Sequence, residues 1–110
     1  MTVDADQLVR TVDRLVDHVG HWSPARWTVS VPAGDRTRAD VVHALAQRLA
    51  DLEADVTGRP DRPVPRLGND LALPDQVRVV TLDLVLAGAG PAVLTAALDA
   101  VTVARQDLSP

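Results

Sequence analysis

The sequence predicts an all-α fold, a four-helix bundle with a Pro-rich extended connector between its second and third helices. Three observations lead there. Apolar residues recur at helical spacing in four separate stretches. Each stretch is bounded by capping residues or by Gly and Pro stops. Between the second and third, "GRPDRPVPRLGNDLALPDQ" holds Pro60, Pro63 and Pro65 and has no periodicity of its own. A chain of 110 residues suits one domain over residues 1–110, able to bury roughly two-thirds of its unfolded surface in a single core.

The first predicted helix carries Leu8, Val12, Leu15, Val16 and Val19 on one face. Asp4, with Gln7 three residues on, resembles a capping box, and Gly20 supplies a left-handed stop. "HWSPARWTVSVPAGD" then breaks the period with Pro24, Pro32 and Gly34, leaving room for a short extended piece from Trp27 to Val31. Trp22 and Trp27 are the only aromatic residues, so each is a large share of the apolar area available. A lid over one end of the core is the plain expectation for them. The functional alternative is a small-molecule pocket under the Trp22/Trp27 loop.

The second helix starts at "TRAD", with Thr37 as cap and Asp40 at the third position, and stops at Gly58. Val41, Leu45, Leu49, Leu52 and Val56 form its main stripe. At ~100° per residue, Ala39, Ala46, Ala50 and Ala54 fall on a separate sector, with His43 among them. Such a helix packs on two sides. It is either central or shared with a second subunit.

The connector must span from Gly58 to Pro74, which suits the first turn of the next helix. Its prolines hold it near polyproline II geometry and lower the entropy cost of ordering it. It reads as an extended strap, with Val64 and Leu67 as pegs into the bundle. Arg59, Arg62 and Arg66 are its candidate partner-binding residues, for an anion or a partner carboxylate.

The third helix, from Pro74 to Ala87, competes with a buried strand, because "VRVVTLDLVL" is rich in β-branched residues. Length, the Pro-Asp start and the stripe Val77, Val80, Leu84, Ala87 favour helix. A second stripe, Val79, Leu82 and Leu86, makes it apolar nearly all round, as befits a helix in mid-core or between subunits. "GAGP" leads to a fourth helix with Leu94, Ala97, Leu98, Val101, Ala104 and Leu108 in register. The short link predicts an antiparallel hairpin of these last two helices.

Composition narrows the function. There is no Phe, Tyr, Ile, Cys or Lys, and all eleven basic residues are Arg, a bias that matches codon usage in a high-GC bacterial genome. Without Cys, disulfide and thiolate chemistry are excluded. The net charge of −4 argues against nucleic-acid binding. Residues 26–66 hold seven Arg against six acids, whereas the flanks hold four Arg against nine, so an anion-facing surface belongs in the middle third. The uncharged run Leu84 to Leu98 is too short to span a membrane, for which ~20 residues are needed. With the acidic start "MTVDADQ", it makes a cytoplasmic protein the expectation.

No phosphate loop, dinucleotide fingerprint, metalloprotease or serine-hydrolase motif is present. His18, His21 and His43 are the candidate ligands for a divalent metal, should they converge. Exposed histidines, or a His hydrogen-bonded at a helix end, are the plain alternative. The Asp-rich polar faces point to no catalytic acid, and no residue is assigned a catalytic role.

"RADVVHALAQRLADLEAD" resembles the second helix of the DinB-like bundles that include the N-terminal domains of mycothiol-dependent maleylpyruvate isomerases. In that family a Trp-containing loop precedes a helix bearing a metal-binding His. The likeness covers roughly residues 8–57 and implies an up-down bundle, with His43 carried over by position. The family's HxxxH pair on a later helix has no counterpart, since no His follows His43. "RPVPRLGNDLALPDQVRVVTLDLVLAG" is similar to a small family of high-GC bacteria and implies no chemistry. The expectation is therefore a non-enzymatic interaction or scaffold module without a cofactor, forming a homodimer and binding a further protein partner. The alternative is a reduced DinB-like metal-dependent enzyme, or a metal or small-molecule binder.

Overall fold

The computed structural model describes residues 3–32 and 34–109. These hold five α-helices: α1 (Ala5–Val19), α2 (Pro24–Trp27), α3 (Arg38–Thr57), α4 (Leu73–Leu86) and α5 (Pro91–Leu108). A single 3-10 turn, Asp70–Ala72, precedes α4. The fold is all-α, and residues 77–86 are helical despite their β-branched content. Tertiary burial of Val77 and Leu84 overrides the local strand preference.

Local chemistry explains most boundaries. The Asp4 side chain accepts the Gln7 N–H at 2.7 Å and starts α1. Thr37 and Asp40 form a reciprocal capping box at the start of α3, and Gly58 ends that helix at φ 71. Gly20 departs from expectation. It keeps a right-handed conformation, φ −65, and its glycine is needed for closeness instead: a Cβ there would lie 2.8 Å from the Val16 carbonyl oxygen.

The segment after α1 also differs. Ser23 caps and Pro24 opens a single helical turn, α2, where only a break was expected. The extended piece is reduced to an isolated antiparallel bridge between Ser30 and Thr37, with Val31 N–H donating to Arg36 O at 2.9 Å.

Packing runs crosswise. α1 and α3 each lie against both α4 and α5, and α2 leans on α3 and on the 3-10 turn. The close hairpin of the last two helices is not formed among the described residues. The chain turns at Gly88, φ 78, and α4 and α5 bury their stripes against α1 and α3 rather than along each other. The core joins Leu8, Val12, Leu49, Leu84, Ala97 and Val101 with the fully buried Trp27, each large apolar side chain contributing roughly 1.5–3 kcal/mol of burial. α3 is the central helix: Val41, Leu45, Leu49 and Leu52 of its Leu/Val stripe are buried together with Ala39, Ala46 and Ala54, while Val56 and Ala50 are half-buried.

α4 is not covered all round. Val77 and Leu84 are buried, but Val79, Leu82 and Leu86 face outward. No helix among the described residues is long and apolar enough to cross a membrane.

Candidate functional site: the strap and the groove beneath it

The connector lies along α3, held by polar residues at one helical face. Asp40, His43 and Gln47 stand three and four residues apart, which puts them in a row. His43 Nε2 is 2.9 Å from Val64 O, so the ring nitrogen carries the hydrogen and donates it. Gln47 works in both directions: its Oε1 accepts Val64 N–H at 2.7 Å and its Nε2 donates to Arg62 O at 3.0 Å. From α4, Gln76 Nε2 donates to Pro65 O at 2.9 Å.

These bonds occupy the strap's main-chain polar groups on its inner side. Prolines 60, 63 and 65 have no N–H to satisfy. The proline-rich segment is thereby tied down without pairing as a sheet edge.

Asp40 is shared between the helix cap and the strap. One oxygen accepts Thr37 N–H and the other meets Arg66 at 3.0 Å. The Thr37 backbone hydrogen bond, then the Arg66 guanidinium, hold the Asp40 carboxyl below the usual carboxylate range, against a smaller opposing effect of burial. Arg66 also reaches Asp70 at 3.8 Å.

Between strap, α3 and α4 lies an open groove of about 480 Å³, within the range of small-molecule and side-chain pockets. Ala50 and Ala54 form its floor on α3, where larger residues would fill it. Val79 and Val80 line it from α4, and the proline rings line it from above. Gln76 Oε1 is buried at this wall with no hydrogen-bond partner among the described residues.

The three strap arginines have different surroundings. Arg66 is committed to Asp40 and Asp70. Arg59 pairs with Glu53 and donates from Nε to Thr57 at 3.0 Å. Arg62 lines the groove, is exposed, and has no ion pair among the described residues.

The histidines are placed apart in role. His43 grips the strap; His18 lies edge-on to Trp22 with ring centroids 5.8 Å apart; His21 is exposed. Among the described residues no group of three or more His, Asp or Glu is placed to hold a metal ion.

Trp22 and Trp27 are 4% and 0% exposed. They pack edge to face, 5.0 Å between centroids. The Arg38 and Arg26 guanidiniums lie 4.8 and 5.5 Å from the Trp22 ring centroid. Trp27 Nε1 is buried without a partner among the described residues, a cost of about 1–3 kcal/mol that the ring's burial must outweigh.

Sequence reasoning missed the groove and the role of Gln47. The available signal was the row Asp40, His43, Gln47 on the alanine side of α3, polar groups where a helix–helix contact would want none.

No family model, curated protein or solved structure matches this chain.

Proposed function

We propose that this chain is a non-enzymatic interaction module, a four-helix bundle in architecture, that self-associates through the face made by the strap and α4. One observation carries the reading. Among the described residues, five of the seven large apolar side chains left exposed, Leu67, Leu71, Val79, Leu82 and Leu86, lie on the end of the strap, the 3-10 turn and α4. A concentration of exposed apolar side chains on one face marks an interaction site, whereas scattered ones need no explanation.

The strap contributes charge to this surface. Arg59 and Arg62 border the groove and are the residues for partner contact, while Arg66 serves to fasten the strap. The resemblance to DinB-like bundles supports the four-helix part of the reading. His43, the one residue that resemblance carries over, spends its Nε2 on Val64, which favours a binding module over a metal-dependent enzyme.

The groove's volume favours a second reading, a small-molecule binder, with the groove rather than the Trp22/Trp27 loop as its site. Native mass spectrometry of the untagged chain tests both. Dimers with no retained mass are expected. A monomer overturns the self-associating module, and one small molecule or metal ion per chain replaces it with the binder.

A further inference from the structure

We propose that the groove beneath the strap is closed by Leu86 of a second copy of this chain, in an antiparallel contact of α4 with α4 about a two-fold axis. The proposal rests on the self-associating reading above and gives it a register.

The contact face is set by burial. Val77, Thr81 and Leu84 pack into the chain's own core, so the far side of α4 looks outward, where Val79, Leu82 and Leu86 are 56%, 46% and 84% exposed. Their spacing of three and four residues makes one stripe. Among the described residues Leu86 is the most exposed of the large apolar side chains.

The register follows from helix geometry. With the axis at the level of Thr81, Leu86 of each copy stands opposite Gln76 of the other, at the groove, and Asp83 stands opposite Val79. A register one turn further along would set Leu86 against the partner's Asp83 and leave the groove empty.

Charge selects the same arrangement. A two-fold perpendicular to the helices brings like flanks together. At ~100° per residue, Asp83 shares its flank with Gln76 and Val80, and both of those residues line the groove. Asp83 of one copy is thereby carried to the groove side of the other, where Arg62 lies. Both groups are exposed and neither has an ion pair among the described residues. The surface thus holds an apolar ridge, an apolar groove, the cation Arg62 and the carboxylates Asp83 and Asp75, and its ridge and Asp83 complement its own groove and Arg62, as an isologous interface requires. An acidic partner would be served by Arg62 but repelled by Asp83 and Asp75 on the same face.

The test is a charge swap read by sedimentation equilibrium, with circular dichroism to verify the fold. Arg62→Asp and Asp83→Arg should each weaken dimerisation about tenfold or more, and the double variant should restore it to within about threefold of wild type. Leu86→Asp, at a position exposed in the single chain, should yield folded monomers. If the wild type dimerises but Leu86→Asp does not weaken it, or the swap fails to restore it, the seam lies elsewhere and this inference falls while the self-associating reading stands. A wild type that remains monomeric sinks both. A small molecule retained in the groove of an intact dimer would also overturn the proposal, since the partner's Leu86 could not then fill the same space.

Discussion

The Nε2 of His43 lies 2.9 Å from the carbonyl oxygen of Val64, twenty-one residues along the chain, and joins the first half of the central helix to the middle of the strap. The bond makes His43 a structural residue of the strap. Replacing His43 by Ala removes the donor and leaves a half-buried carbonyl to find water. The expected loss is about 1 kcal/mol of unfolding free energy, measured by urea denaturation, with no change in helix content. A loss of bound metal in the same variant, by elemental analysis of wild type and mutant, would show that the imidazole has a second use.

Gln47 holds more of the strap than His43 does, since one side-chain amide meets both Val64 N–H and Arg62 O. Gln47→Ala should therefore release the connector locally without unfolding the helices. Trypsin reads this well. Arg59 and Arg62 are each followed by proline and resist cleavage, leaving the Arg66–Leu67 bond as the reporter within the connector. Cleavage there should be faster by about tenfold or more in Gln47→Ala, tracking the population of the opened strap. An unchanged rate would mean that His43, Gln76 and the Arg66 ion pairs hold the strap without it.

Acid should loosen the same fastening from the Arg66 end. The folded-state pKa of Asp40 lies below its unfolded value, because Thr37 N–H and Arg66 favour the carboxylate. Its contribution to stability is thus complete above about pH 5 and is lost as pH falls through the folded value. The carboxylate side chain is 40% exposed, so solvent screening keeps the contribution small. Asp40→Asn should lower stability at pH 7 and leave it nearly unchanged once the pH has fallen below the folded-state value, which flattens the acid limb of the stability profile. Parallel profiles for wild type and variant would remove Asp40 from the account.

Helix periodicity made the elements legible, together with Thr37, Asp40, Gly58 and Pro74 at their ends, because these act within one turn of chain. The position of α4 was not legible in that way. Its two stripes are equally apolar in sequence, and only the crosswise packing on α1 and α3 determines that Leu84 goes inward and Leu86 outward. The same holds for the site. The prolines announced a strap and the arginines a charged surface. The groove, however, depends on Ala50 and Ala54 lying under that strap while Val79 and Val80 stand beside it, a meeting of three segments far apart in sequence. Ser23-Pro24 is a different case: a Ser cap followed by Pro is a local helix-start signal, but Pro24, Pro32 and Gly34 together break the apolar period that would mark a helix there.

Leu84 and Leu86, two residues apart on one helix, put the assignment of the α4 faces to a direct test. Leu84 is 0% exposed and packed in the core, so Leu84→Ala should cost about 2–5 kcal/mol through lost burial and the cavity left behind. Leu86→Ala removes a side chain that touches little in the single chain and should change the stability of dilute, monomeric protein by no more than about 0.5 kcal/mol. At higher concentration the order reverses in a second readout, since only the exposed leucine takes part in association. Urea denaturation at low micromolar concentration, paired with light scattering at tenfold higher concentration, separates the two effects. Equal destabilisation of dilute protein by both changes would mean that the outer stripe of α4 is packed within the single chain, and the interaction face would have to be sought elsewhere.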